Sequence, residues 1–399
     1  MIIDGNNRAM GRLAKSFLLA VAAVALAQPG PPTLADVKKK VLGELSALPD
    51  YTCTETLEQW QRPARSKKFE MVERFRVDVA FVGGAEVFGW PGGEKLGEED
   101  LTRLVGGNVA NGDFALLAHS LFTSGDATFR FVREELREGR PSLRYEYSIP
   151  AGDSGWDLLA GRQRAVVGHH GTFWVDRKRL DLVELDATAD RIPGPLRVKK
   201  LERVLQYARG RIGSADVPLP QLAVLAATRR NGDGVKTEVR FRNCHQYAVD
   251  TIVRFDQPDA AHAGSGVSTP VVLPEEFDVE LTLEGELDSD TAAVGDPVRA
   301  RLQGDIRRGR EIVLPKGAVV RGRITQLPLI DGHRYFDLRW QSIESSGVST
   351  DIRGRRNETT VYDAMRFKGL GRVPTPIPGD GARLRLPAGY RLFLKSAAP

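Results

Sequence analysis

Histidine, cysteine, carboxylate and glycine are the residues that could do chemistry in this chain, and each set has a spacing that can be judged. His169 and His170 are adjacent, and neighbouring side chains on a strand point to opposite faces, so the two do not readily share one metal. His119, His245, His262 and His333 are scattered without ligand spacing. Asp288, Asp290 and Asp296 hint at a calcium loop but lack its glycine and terminal glutamate, and turn chemistry explains them more simply. The serines have no nucleophile elbow, and the pairs Gly92-Gly93 and Gly106-Gly107 lack a phosphate-loop lysine. Glu134, Glu135 or Asp153 would have to be recruited from distant loops to build a catalytic site, and nothing singles them out. The expectation is a non-enzymatic protein with no metal and no cofactor.

Cys53 and Cys244 are the only cysteines among 399 residues. Cys53 has no activating partner in sequence. An even, minimal count in an exported chain suggests one structural disulfide, and two buried thiols that merely pack are the alternative. Export is read from the N-terminus. Arg12 and Lys15 precede an apolar stretch from Phe17 to Leu26, and Ala25-Leu26-Ala27 offers the small residues of a cleavage site, so residues 1–27 are expected to be a signal peptide, with translation starting at Met1 or Met10. The stretch is half of the roughly 20 residues a spanning helix needs, so no transmembrane span is expected. It holds no lipid-anchor cysteine.

The formal net charge is +5, and Arg8, Arg12 and Lys15 against Asp4 leave +3 beyond residue 27. That is too small to argue for nucleic acid, although anionic lipid head groups remain compatible with it. Arg197-Val198-Lys199-Lys200 concentrates charge, yet its alternating spacing fits a solvated strand face.

The elements that must position these residues are mostly strands. Thr33 with Asp36 resembles a capping box, and Leu34, Val37, Val41, Leu45 and Leu48 recur at helical spacing, which predicts an amphipathic helix over 33–48. From Tyr51 the period changes to two. Phe69, Met71, Phe75, Val77, Val79 and Phe81 share one strand face and Glu70, Arg74, Arg76 and Asp78 the other. The alternation returns at Phe129 and Phe131, at Leu143, Tyr145, Tyr147 and Ile149, and at Val235, Thr237, Val239 and Phe241, as an antiparallel sheet with one oily face requires. Short helices over 98–105 and 112–122 would cover that face. A Gly, Ala, Ser and Pro-rich stretch at 257–274 reads as a linker between a domain at 33–256 and a small β-barrel or sandwich at 275–399, with a loop at 354–382. The predicted class is mainly β (α+β).

The helix followed by Tyr51-Thr52-Cys53-Thr54-Glu55-Thr56 and a train of antiparallel strands resembles the periplasmic lipoprotein-carrier superfamily. Gly171-Thr172-Phe173-Trp174-Val175-Asp176, Tyr207, Ile212-Gly213, Leu219-Pro220 and Phe241-Arg242-Asn243 are similar to uncharacterised secreted proteins of Gram-negative bacteria that carry the same half. The resemblance implies an unclosed antiparallel β-barrel with a helical plug, a periplasmic or secreted location, and a concave face that accepts a lipid or a lipoprotein acyl chain. Val294-Gly295-Asp296, Leu314-Pro315-Lys316-Gly317-Ala318 and Gly322-Arg323-Ile324 resemble the β-barrel domain of the TrbI-type scaffold of type IV secretion systems. That likeness implies docking on an envelope protein partner. On the first reading, Phe75, Val77, Phe129, Phe131, Tyr145 and Tyr147 line the ligand wall; on the bland one, the same stripe packs against the helices.

Overall fold

The computed structural model describes residues 32–93, 96, 101, 105, 116–160, 163–247, 277–330, 333–345, 348–351, 358–360 and 383–396. The expected signal peptide, the 257–274 linker and most of the 354–382 loop lie outside these residues. Helix α1 (Leu34–Ser46) starts where the sequence predicts: the Thr33 hydroxyl accepts from the Asp36 N–H at 3.3 Å, and the Asp36 carboxylate accepts from the Thr33 N–H at 2.8 Å. Helix α2 spans Leu116–Thr123. It buries Leu117, Ala118, Leu121 and Phe122.

Among the described residues the first unit has twelve strands: β1 (Tyr51–Arg62), β2 (Glu70–Val82), β3 (Ala85–Gly89), β4 (Thr128–Arg137), β5 (Arg140–Ile149), β6 (Trp156–Ala160), β7 (Gln163–Val167), β8 (His169–Asp176), β9 (Leu182–Ala189), β10 (Val198–Ile212), β11 (Ala215–Arg229) and β12 (Gly234–Gln246). Ten form one antiparallel sheet in the order β3-β2-β1-β12-β11-β10-β9-β8-β5-β4, and its first and last strands are not paired, so the sheet is unclosed. β6 and β7 form a separate hairpin. Pro218 and Pro220 are tolerated in β11 because β12 pairs only with its second half, Leu222–Thr228, leaving the proline half an edge on that side.

The register lays one row of apolar side chains across eight strands: Leu57, Val239, Ala223, Leu205, Leu185, Phe173, Tyr145 and Phe131. All but Phe131 are buried. The helices pack on this row at Phe173: Phe122 of α2 meets Phe173 edge-on at 5.2 Å and stacks near Phe129 of the adjoining row at 6.3 Å, while the Lys38 ammonium of α1 lies 4.0 Å above the Phe129 ring. At the far end of α1, Glu44 accepts from Arg209 of β10 at 2.9 Å, and Asp181 and Asp216 hold the same guanidinium. Burial works against the Arg209 charge, but its carboxylate partners outweigh that and raise its pKa.

Cys53 and Cys244 form a disulfide with Cα atoms 4.1 Å apart. Strict alternation would put Cys244 on the outer face with Arg242. The β1–β12 register shifts here, and Asn243 absorbs the extra residue with φ of 54°, a left-handed conformation that asparagine tolerates. The bulge turns Cys244 inward to meet Cys53.

The second unit is a sheet of strands in the order 348–351, 337–345, 319–326, 297–302, 277–283 and 391–396, with 358–360 pairing 337–345. Trp340, Phe336, Leu338 and Leu281 are fully buried in it. It meets the first sheet at β2. β3 covers only the Asp78–Val82 part of that edge, and Val294 takes the next position, accepting from the Arg76 N–H and donating to the Arg74 carbonyl, both at 2.8 Å. Arg76 also pairs with Asp296, and Arg74 donates to the Asp290 carbonyl at 2.5 Å. Gly295, at φ +100°, lies against the Arg76 carbonyl and the Trp90 ring, where a Cβ would collide with both. Asp290 and Asp296 are thus turn and junction residues.

Candidate functional site

The six side chains expected to line a ligand wall fall into three situations. Phe75, Val77, Tyr145 and Tyr147 are buried in the continuous core, Phe129 is half-buried beneath α1 and α2, and Phe131 is 51% exposed on β4, the last strand of the sheet. Four of the six are therefore core residues, and the chain's own helices pack on Phe129. Among the described residues no strand lies beyond β4, which leaves Phe131 open.

The next row across the sheet is different in kind: Gln59, Thr237, Leu225, Arg203 and Ala187, continuing on neighbouring strands as Gly171, Tyr147 and Phe129. It places polar groups on the inner face. Arg203 is only 5% exposed, and its guanidinium lies 5.3 Å from the centre of the Trp156 ring. Trp156 belongs to the β6–β7 hairpin, which thus folds over this part of the sheet. His169 sits edge-on to Trp156 at 5.0 Å and to Tyr147 at 5.7 Å. Gly171 leaves room where any Cβ would strike the Asp186 carbonyl, and the Tyr147 hydroxyl donates to that carbonyl at 2.8 Å.

His169 is fully buried, and neither ring nitrogen has a hydrogen-bond partner among the described residues. Burial, then the positive charge of Arg203, lowers its pKa to about 4, so the imidazole is neutral at physiological pH. Burial likewise pushes the Tyr147 phenol upward. His170 faces outward, with Nδ1 2.7 Å from the Asp190 carboxylate. The adjacent histidines do point apart, and among the described residues no three potential ligands cluster as a metal site would require.

Where this row reaches β1 and β12, the inner face opens. A crevice of about 780 Å³ lies between the ends of β1, β10, β11 and β12 and the β6–β7 hairpin with the turn at 194–196. Leu159, Pro195 and Val198 supply open apolar surface over the buried Leu196 and Val235, with Trp60 at the margin. Gln59, Gln61, Gln163 and Thr237 supply amides and a hydroxyl, and Arg197, Arg229 and Lys236 supply charge. On the hairpin, Leu159 is 62% and Val166 53% exposed. A second hollow, about 620 Å³, lies between α1 and β10–β11, but the Glu44, Asp181 and Asp216 carboxylates already hold its Arg209. The first crevice instead sets apolar surface beside polar groups.

Sequence reading missed the buried charges Glu55 and Arg203 and the crevice, and weighed His169 only as a metal ligand. The signal for two of them was present: Glu55 falls in phase with Tyr51, Cys53 and Leu57, and Arg203 in phase with Leu201, Leu205 and Tyr207. A charged residue in the apolar phase of a strand marks a buried polar group. The crevice had no such signal, because its walls come from segments more than 170 residues apart, such as Gln59 and Lys236.

No protein-family model and no curated protein sequence matches the chain. Among solved structures it is similar to a DUF1329 family protein from Desulfovibrio piger, at 12% identity and a TM-score of 0.30, over 54% of this chain and 93% of that one. It is also similar to a putative outer membrane lipoprotein-sorting protein domain from Vibrio parahaemolyticus, at 12% identity and a TM-score of 0.27, over 54% and 97%. TM-scores this low carry no weight for function, which rests on the residues themselves.

Proposed function

We propose that this chain is a non-enzymatic binding protein of the space outside the cytosol, in the periplasm or secreted, and that it takes a lipid or other hydrophobic ligand into the crevice beneath the β6–β7 hairpin. The observation that carries the reading is the crevice itself: its size suits a small ligand, and its apolar wall continues onto the exposed Leu159. Each methylene buried there contributes about 0.8 kcal/mol, so ten would give about 8 kcal/mol before the cost of ordering the chain. The Cys53–Cys244 disulfide supports the compartment, since cytosolic thiols are kept reduced. Burial of most of the aromatic stripe is the reason for proposing the end of the sheet rather than its centre.

The experiment is native mass spectrometry of the protein isolated from a bacterial periplasm, with uptake of a fluorescent acyl probe as a second measurement. Co-purifying lipid that exchanges for the probe supports the reading. Protein free of lipid that also ignores the probe removes it.

An envelope scaffold is the second reading, and Phe393 favours it. This ring is 63% exposed on 391–396, which pairs only with 277–283 and so forms a sheet edge among the described residues. Gel filtration at rising concentration separates the two, because a scaffold assembles and a carrier stays monomeric.

A further inference from the structure

The charge around the crevice is one-sided. Arg197, Arg229 and Lys236 line it, and no carboxylate does among its described residues. Lys236 is partly committed: its ammonium is 2.6 Å from Glu238 and 5.0 Å from the centre of the Trp60 ring. Arg197 and Arg229 form no ion pair among the described residues. They are held at the rim by backbone: the Arg197 carbonyl accepts from the Arg230 N–H at 2.9 Å, and the Arg229 N–H donates to the Asp233 carbonyl at 2.8 Å. Arg197 also adopts φ of 57°, a left-handed conformation that an arginine rarely takes and that the 194–196 turn enforces. Sequence alone reads Arg197 as part of a solvated strand face; the fold places it at the rim of an opening with an apolar wall.

We infer that the crevice selects amphiphiles with an anionic head group, a carboxylate or a phosphate, seated between Arg197 and Arg229 while the acyl chain lies along Leu196, Val198, Val235 and Leu159. This rests on the proposed binding function and specifies its ligand class. Guanidinium groups suit either head group, because their paired N–H donors match two acceptor oxygens. Both arginines are solvent-exposed, so the selectivity is modest: two such contacts give about a tenfold preference over a neutral head group, weakened by salt.

The test is displacement of a fluorescent acyl probe from the full chain by dodecanoate, dodecyl phosphate, dodecanol and dodecyltrimethylammonium, all below their aggregation limits, in low and high salt. The expected result is that at least one anion displaces the probe about tenfold better than the alcohol, that the cation is weakest, and that salt narrows the gap. The Arg197→Gln/Arg229→Gln variant should bring the anions level with dodecanol, whereas Arg299→Gln on the second unit should keep the preference. Which anion leads separates a carboxylate from a phosphate source. Equal displacement by dodecanol and both anions, or a preference that survives the double variant, overturns the inference but leaves hydrophobic binding standing. Failure of the probe and every competitor to bind overturns the proposed function itself.

Discussion

Replacing both Cys53 and Cys244 by alanine should cost the first sheet several kcal/mol. The disulfide ties β1 to β12 across 191 residues. Chain-entropy bookkeeping for a loop of that length gives about 5 kcal/mol of stabilisation through restriction of the unfolded chain, and residual structure in that state lowers the realised value to about 2–5 kcal/mol. Because the cysteines are neighbours on paired strands, the native ladder itself survives their removal, so the loss is one of stability rather than of fold. Guanidinium unfolding followed by tryptophan fluorescence is the assay. With a slope of about 4 kcal/mol per molar, the transition of the first unit should move down by about 0.5–1.2 M in the double variant, and a reducing agent should shift the native protein by a similar amount. A shift below about 0.1 M in both would refute the reasoning.

Other perturbations read other parts of the structure. The depressed His169 pKa makes a signed prediction: the unfolded imidazole takes up a proton near its ordinary value of 6.5 while the folded one resists to about 4, so stability present above pH 6.5 is lost as pH falls through that window, to a total of about 3 kcal/mol. His169→Phe should flatten that part of the stability–pH curve measured by denaturant titration, and an unchanged slope counts against the buried neutral imidazole. Gly171→Ala forces a Cβ into the Asp186 carbonyl and should cost about 1–3 kcal/mol in thermal unfolding, whereas Gly125→Ala, where nothing lies within 4 Å, should cost much less. Asp296→Ala combined with Gly295→Ala should loosen the second unit from β2 and split one calorimetric transition into two; a single unaltered transition means that the junction does not couple the units.

Much of the fold was legible because it is local. The capping box at Thr33 and the helical recurrence of Val37 and Val41 place α1 within two residues of its ends, and period-two alternation around Tyr145 or Val239 names the inner face of each strand. Alternation cannot say what packs on that face. Phe129 and Tyr145 look the same whether a ligand or Phe122 of α2 lies above them, and only tertiary placement decides. Phe131 shares their phase yet is half exposed, because strand order made β4 an edge. The bulge at Asn243 shifts phase by one residue, so a reading by parity puts Cys244 on the wrong face. The crevice depends on where the β6–β7 hairpin folds, and no periodicity in Trp156–Val167 records that.

Photo-crosslinking tests the central claim most directly: a diazirine-bearing fatty acid is bound to the intact protein, irradiated, and its attachment sites mapped by peptide mass spectrometry. Labels concentrated on the crevice walls, at Trp60, Leu159, Leu196, Val198 and Val235, and competed away by unlabelled fatty acid, are the predicted result. Labelling centred instead on the second unit, or spread over the surface and indifferent to competitor, would contradict it.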